Sequence, residues 1–147
     1  MRILFDSSII VEIDRQNEQV INLLKKLVIK KHELIISTIT VSEILTGSYL
    51  RKDSEEAVIK AREVLNQFNW KEFDNECAEN SAKLLAFLIV EKKEKSVDYP
   101  DILIASTFMT LNCDYLITLN KKDFIVFPKI REFVLDYKEL DAKFNLK

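Results

Sequence analysis

The sequence predicts an α/β domain of three layers, α/β/α, around a central and mainly parallel sheet. Short, wholly apolar runs that end in polar residues recur along the chain, at residues 3–5, 34–36 and 115–117. Such runs are typical of strands that are buried on both faces of a parallel sheet. Longer segments with helical spacing separate the runs. This alternation is the pattern of a sheet that is covered by helices on both sides.

The first third of the chain predicts two strands with helices between them. Residues 3–5 predict a central first strand, and Asp6 follows at its carboxyl end. A short helix is predicted over 9–13, and Asn17 is a suitable N-cap for a longer amphipathic one. Residues 34–36 predict the second strand, which ends in a polar residue as the first does.

The middle of the chain predicts mainly helices. Thr40–Glu43 has the form of a capping box, which predicts a helix that begins near Thr40. Further helices are predicted with caps at Asp53 or Ser54 and at Asp74. A short extended segment is expected at 70–73, where aromatic residues replace the helical pattern.

The segment from Asp98 to Asn120 contains both a helix and a buried strand. Pro100 fixes its own φ and disfavours helix in the residue before it, so a helix is expected to begin at about Pro100. Residues 115–118 predict the next strand, with polar residues following it. The chain then reaches residues 133–135, which predict a strand at the edge of the sheet.

Composition and charge limit the classes of function. The 147 residues are the size of one domain, and 48% of them are apolar, so we expect one folded domain over residues 1–147. The net charge of −2 argues against a general electrostatic binder of nucleic acid. No apolar run is long enough for a membrane, and no signal peptide is expected. The two cysteines, Cys77 and Cys113, suit buried thiols in a cytoplasmic protein.

Four polar residues are predicted to meet at the carboxyl edge of the sheet: Asp6, Glu43, Asp101 and Asn120. Each also has a purely structural interpretation. Glu43 could complete the capping box, Asp98 and Asp101 could stabilise a helix N-terminus, and Asn120 could cap a turn. Asp6 is the hardest to explain in this way, because a carboxylate at the end of a buried strand needs a partner.

Taken together, these residues favour a site for a hard divalent cation. Carboxylates that converge on one place repel one another, and Mg²⁺ or Mn²⁺ relieves the repulsion while keeping bound waters. The single histidine, His32, is expected at the surface, where it cannot act as a general base. Ser7 is interpreted as a hydrogen-bonding residue that orients Asp6, since no base that could activate it is evident.

Four segments in this order resemble the motifs of the PIN-domain nucleases. The opening segment 3–8, with Asp6-Ser7-Ser8, resembles the first motif, and 36–44, which contains Glu43, resembles the second. Residues 101–107 resemble the third motif, which begins with Asp101, and residues 118–124 resemble the fourth. The resemblance extends from Ile3 to about Leu135, and size and layout are most similar to the VapC-type toxins of toxin–antitoxin pairs.

The resemblance implies an activity, partners and roles for residues. The implied activity is a Mg²⁺- or Mn²⁺-dependent endoribonuclease, and the implied assembly is a homodimer with a neutralising antitoxin. Asp6 and Asp101 would be the chief metal ligands, with Glu43 as the third acid. The supporting residues would be Ser7, Asp98, Thr118 and Asn120. Asn120 stands where the family often has Asp, which favours one metal ion over two.

The RNA-binding surface is less evident from the sequence. Lys121 and Lys122 are candidates because they follow the fourth motif closely. Other interpretations remain open at this point: an RNA-processing nuclease outside any toxin–antitoxin pair, or an inactive PIN-like binding module. An aspartyl-phosphate phosphatase is disfavoured, because Ser8 stands where such enzymes usually have a second Asp.

Overall fold

The computed structural model describes residues 1–145, and in it five strands form one sheet in the order β3-β2-β1-β4-β5. The strands are β1 (Arg2–Phe5), β2 (Glu33–Ser37), β3 (Asn69–Lys71), β4 (Tyr115–Ile117) and β5 (Val134–Leu135). All pairings between neighbouring strands are parallel. The predicted three-layer fold is confirmed, and β1 is central as expected.

Helices connect these strands and cover the sheet. They are α1 (Ser7–Asp14), α2 (Glu18–Ile29), α3 (Thr38–Tyr49), α4 (Ser54–Leu65), α5 (Asn75–Val90), α6 (Tyr99–Leu111), α7 (Lys121–Ile125) and α8 (Tyr137–Asn145). A single 3₁₀ turn at Arg131–Phe133 leads into β5. Among these helices none has the length and apolar character needed to cross a bilayer.

The two faces of the sheet pack against different helices. Ile3 and Phe5 of β1 contact apolar side chains of α1, α2, α4 and α8, while Leu4 between them packs with α5, α6 and α7. Successive side chains of a strand point to opposite faces, which explains this alternation. The sheet is therefore buried on both sides, as its apolar runs predict.

The predicted capping box at Thr40–Glu43 is wrong. The helix begins earlier, at Thr38, and its N-cap is Ser37, whose side chain accepts a hydrogen bond from the backbone N–H of Ile39 at 3.2 Å. Ser and Thr both favour N-caps, so a sequence with several of them offers more than one start. Because Glu43 lies well inside α3, it is not part of the cap.

The helices that follow β4 were not predicted from the sequence. The five-residue helix α7 is too short for a periodic pattern, and α8 places only Leu140 in a fully buried position. Pattern reasoning depends on repeated apolar spacing, which neither segment provides. The helix predicted from Pro100 is present, beginning one residue earlier at Tyr99.

The connections between strands create a crevice at the carboxyl edge. From β1 the chain builds the sheet toward β2 and β3 on one side, and then returns to add β4 and β5 on the other. Ligands of parallel sheets bind where the order reverses in this way. Here that place lies between the carboxyl ends of β1 and β4.

Candidate active site

Asp6 lies at the centre of this crevice. It directly follows β1 and is the N-cap of α1, in an extended conformation with φ −79° and ψ 161°. Its backbone N–H donates to Ile117 O at 3.0 Å, which joins the ends of β1 and β4. The side chain is only 1% exposed. A buried carboxylate needs hydrogen-bond donors, and the local structure supplies them.

The two oxygens of the Asp6 carboxylate have different surroundings. Oδ2 accepts from Ser8 Oγ at 2.7 Å, from Thr118 Oγ1 at 2.8 Å and from the backbone N–H of Ser8 at 3.4 Å. Oδ1 has one long contact, with Ser7 Oγ at 3.4 Å. The hydrogen bonds fix the orientation of the carboxylate through one oxygen and leave the other for a ligand.

Ser8 is a site residue that the sequence analysis did not assign. Its Oγ donates to Asp6 and accepts from the backbone N–H of Leu119 at 3.0 Å. Thr118 has the same pair of contacts, because its Oγ1 donates to Asp6 and accepts from the backbone N–H of Asn120 at 2.9 Å. Both hydroxyls thus connect the start of α1 to the segment after β4. The sequence did contain a signal for this role. Ser8 lies two residues after the N-cap Asp6, and residues at that position face the side chain of the N-cap.

Glu43 reaches the crevice from α3. Burial raises the pKa of Glu43, and the charges of Asp6 and Asp98 raise it further, while the nearby Ser7 hydroxyl lowers it. Within residues 1–145, its Oε2 is buried without a hydrogen-bond partner. The structure therefore brings Glu43 close to Asp6, in surroundings that disfavour its charge.

Asp101 is the most perturbed acid of the site. It lies in the first turn of α6, and its pKa is raised from 3.8 to about 7 by burial and by the charges of Asp6, Asp123, Glu43 and Asp98, in that order. A helix N-terminus alone would favour the charged form. The opposite direction of the shift means that burial and neighbouring acids outweigh the helix dipole.

Two further acids border the site. Asp98 is exposed and occupies the N-cap position of α6, but its side chain makes no capping hydrogen bond. Its charge raises the pKa of both Asp101 and Glu43. Asp123, in α7, also raises the pKa of Asp101, and the sequence analysis gave it no role although it belongs to the fourth motif-like segment.

The polar residues after β4 differ in their accessibility. Asn120 is exposed at the start of α7 and makes no capping hydrogen bond with its side chain. Lys121 Nζ contacts both carboxylate oxygens of Glu139 at 2.8 Å, so its charge is already paired with α8. Lys122 is exposed to solvent. Of the two lysines predicted to bind RNA, only Lys122 projects without such a contact in the described chain.

The acids suit a hard cation that keeps several bound waters, rather than one that is fully enclosed by protein ligands. Over residues 1–145, no three His, Cys, Asp or Glu side chains are close enough to form a ready-made metal site. Asp6 Oδ1 nevertheless has only one long hydrogen bond, and the charged forms of Glu43 and Asp101 are both disfavoured. Mg²⁺ and Mn²⁺ need only one or two direct carboxylates and keep several waters, so the donor set fits them.

A groove begins beside Glu43 and continues over α1, α3 and α4. Its volume is about 720 Å³. Apolar side chains form much of the wall, among them Ile10, Ile44 and Val64, and charged residues of both signs stand at the rim. Of the acids of the site, Glu43 lines this groove, so the groove and the site share one residue.

Comparisons with solved structures identify close relatives in fold. VapBC2 from Rickettsia felis, solved with a DNA fragment from its promoter, has a TM-score of 0.83 at 24% identity, covering 92% of this chain and 98% of that one. DNA-bound VapBC from Salmonella typhimurium gives 0.82 at 19% identity, with 93% and 98% covered. FitAcB from Neisseria gonorrhoeae gives 0.75 at 23%, with 92% and 97% covered.

The family itself follows from the sequence match. No curated protein was found to match the chain. A family model described as the PIN domain matches residues 3–130, which include Asp6, Glu43, Asp98, Asp101 and Asp123. The resemblance noted in the sequence is thereby confirmed at the level of the family. The chain belongs to the PIN domain family.

Proposed function

We propose that the protein is a Mg²⁺- or Mn²⁺-dependent endoribonuclease formed by a single domain over residues 1–147. The main support is the raised pKa of Asp101, about 7, which reflects a cluster of acids that cannot all ionise at low cost. A divalent cation at the cluster would remove this cost. Membership of the PIN family supports the same activity, because PIN domains are nucleases.

In this proposal each acid has a distinct task. Asp6 Oδ1, Asp101 and Glu43 would hold the cation. When bound, the cation would supply an acidified water and positive charge next to the phosphate. Ser8 and Thr118 keep Asp6 in one orientation through Oδ2. Asp98 and Asp123 add negative potential, which increases the affinity of the site for a cation.

The activity can be tested directly with purified protein and RNA. We expect cleavage with Mg²⁺ or Mn²⁺, no cleavage in excess EDTA, and recovery when the metal is restored. Asp101→Asn serves as the matched variant, because it removes one charge and nearly preserves shape. Cleavage that persists in EDTA, or at the wild-type rate in Asp101→Asn, would contradict the proposal. Metal binding without RNA cleavage would favour the alternative of an inactive binding module.

We also propose that the protein is the toxin of a type II toxin–antitoxin pair in the cytoplasm. Three of the similar structures are of VapBC proteins, and a fourth is of a toxin–antitoxin complex from Klebsiella pneumoniae. The groove of about 720 Å³ offers a place for a segment of an antitoxin. An Arg or Lys of that segment would reach the acids beside Glu43 and inhibit by displacing metal or substrate.

Gly47 allows a clean test of this groove. It lines the groove, and a Cβ added there would meet no atom within 4 Å. Gly47→Phe should therefore preserve the fold while filling the groove, so cleavage remains and antitoxin inhibition is lost. Thr46→Phe, an exposed neighbour outside the groove, is the control. The partner to use is the small DNA-binding protein expected in the adjacent reading frame. Equal inhibition of both variants would exclude the groove.

A homodimer is the assembly that we propose. Large apolar side chains remain exposed on several helices, including Leu50 at 82% and Val90 at 77%. Symmetric pairing is the commonest way to cover such surfaces. Light scattering at micromolar concentration should give twice the chain mass of 17.2 kDa. A monomer under these conditions would contradict the dimer.

A further inference from the structure

Two buried oxygen atoms in α3 have no hydrogen-bond partner in the part of the chain that the structure describes. They are Thr40 Oγ1 and Glu43 Oε2. Thr40 is completely buried, with 0% of its surface exposed. Buried polar atoms are almost always hydrogen-bonded, because leaving one unpaired costs its full desolvation energy. Each of the two atoms therefore requires a partner of its own or one that both share.

The position of Thr40 in α3 directs it toward the acidic site. Ile39 packs with the cluster that contains α5 and α6, whereas Val41 packs with the opposite cluster, which contains α1 and α2. Thr40 lies between them and so faces the seam between the two layers, at the edge where Asp6 ends β1. Residues three apart in a helix are neighbours on one face, so Thr40 lies beneath Glu43.

We propose that Thr40 is a positioning residue for Glu43, with one ordered water bridging Thr40 Oγ1 and Glu43 Oε2. No direct hydrogen bond joins the two oxygens. Side chains at this spacing stand far enough apart for a single water, which needs at least two polar partners. The bridge holds Glu43 through Oε2 and directs its other oxygen toward the cation site, a role that rests on the proposed function.

The roles of the two residues are complementary. The threonine hydroxyl has one proton and two lone pairs, whereas an ionised Glu43 can only accept. The water therefore donates to Glu43 and exchanges a second hydrogen bond with Thr40. Thr118 and Ser8 restrain Asp6 directly, and Thr40 restrains Glu43 in the same way through one water. Groups of this kind that orient metal ligands affect metal affinity strongly.

Two variants separate the hydroxyl from the shape of the side chain. Thr40→Val keeps the shape and removes the hydroxyl, and Thr40→Ser keeps the hydroxyl and removes a methyl group. Calorimetric titration with Mn²⁺ should show affinity reduced about 10-fold in Thr40→Val and restored in Thr40→Ser. If Thr40 only fills space, Thr40→Ser should bind Mn²⁺ more weakly than Thr40→Val, because the smaller serine leaves a cavity. Thr46→Val, at an exposed position of α3, controls for the change in helix propensity.

The melting temperature of the metal-free variants gives an independent result. A hydroxyl with a bound water is a satisfied group, so Thr40→Val should melt below the wild type. A hydroxyl without a partner predicts an equal or higher melting temperature for Thr40→Val, and that result would overturn the bridge. If the wild type binds no Mn²⁺ while Thr40→Val still melts lower, the nuclease proposal fails and the bridge stands.

Discussion

Asp6 and Asp101 lie at one site, yet their surroundings differ. Asp6 is almost fully buried, and donors from Ser8 and Thr118 surround its Oδ2. Asp101 is only half-buried, but burial and four neighbouring acids raise its pKa to about 7. The number of hydrogen-bond donors, rather than the depth of burial, distinguishes the two carboxylates.

This difference assigns different energetic roles to the two acids. Asp6 is held in place by the fold and contributes to its stability through hydrogen bonds to a charged group. The charged form of Asp101 is disfavoured by burial and by the neighbouring acids, so without a cation its ionisation should reduce stability. In the proposed metal site, Asp6 would be a rigid ligand, and the energetic cost of charging Asp101 would be removed when the cation binds.

The largest expected effect is on activity when either acid is neutralised. We expect Asp6→Asn and Asp101→Asn each to reduce metal-dependent cleavage by at least about 100-fold, because each removes a charged ligand. Their stabilities should change in opposite directions. Asp6→Asn weakens hydrogen bonds from Ser8 and Thr118 and should cost about 1–2 kcal/mol. Asp101→Asn relieves repulsion and should raise the melting temperature.

Cleavage assays with Mg²⁺ or Mn²⁺, and thermal melts in metal-free buffer, check this contrast for both variants. If Asp101→Asn destabilises the fold as much as Asp6→Asn does, the two acids have the same structural role. That result would also remove the main support for a cation site.

The stability of the metal-free protein should depend on pH through Asp101. The ordinary pKa of an Asp carboxyl is 3.8, and the pKa of Asp101 in the fold is about 7, so between these values the folded state binds more protons than the unfolded chain. Stability should therefore fall as pH rises from about 4 to about 7. Glu43, whose pKa is also raised, acts in the same direction.

Urea unfolding at a series of pH values measures this slope. Asp101→Asn should flatten it, and saturating Mg²⁺ should flatten it in the wild type, because a bound cation stabilises the charged form. A slope of unchanged size in Asp101→Asn would show that another group titrates in this range.

The hydroxyls that hold Asp6 should have smaller effects than the acid itself. Ser8→Ala and Thr118→Val each remove one donor to Oδ2, and we expect about a 10-fold loss of activity from each. Both donors bind the same oxygen. We therefore expect the free-energy change of the double variant to differ from the sum of the changes in the two single variants. Ser81→Ala is the control, since that hydroxyl donates to Ala78 O within α5.

The coupling between the two hydroxyls is measured by a double-mutant cycle on activity and unfolding. Additive effects would mean that Ser8 and Thr118 act separately, and would contradict a shared restraint on Asp6.

The smallest expected effect concerns the two lysines after β4. We expect Lys122→Ala to raise the KM for RNA a few-fold without a change in kcat. An exposed cation binds the phosphate equally well in the ground state and in the transition state. Lys121→Ala should affect KM less, since Lys121 is paired with Glu139. Loss of that exposed pair should cost about 0–1 kcal/mol of stability. Larger effects of Lys121→Ala on KM would mean that RNA displaces Glu139.

The sheet and the position of most acids could be predicted from the sequence. Wholly apolar runs identify strands that are buried on both faces, and parallel strands place the residues that follow them at one edge. Asp6 and Glu43 could be grouped for this reason, and Asp101 because a helix between parallel strands begins at the same edge of the sheet. Their assignment as metal ligands remains a prediction.

Other features depend on contacts that no local pattern encodes. The restraint of Asp6 by Thr118 joins residues 112 positions apart, so spacing along the chain does not show it. The pairing of Lys121 with Glu139 depends on α8, a helix with a single fully buried residue and hence a weak apolar pattern. The start of α3 was misplaced because Ser37, Thr38 and Thr40 all suit an N-cap, and tertiary packing selects among them.

The central position of β1 also bears on how the protein is made. β1 is synthesised first, yet β4, which completes its surroundings, is added only when residues 115–117 have left the ribosome. Asp6 obtains its hydrogen bond from Thr118 at that same late point. A nascent chain that lacks the last quarter of the sequence therefore contains Asp6, but the site around Asp6 is not yet assembled. Such an order of assembly would keep a nuclease inactive beside the ribosome that produces it.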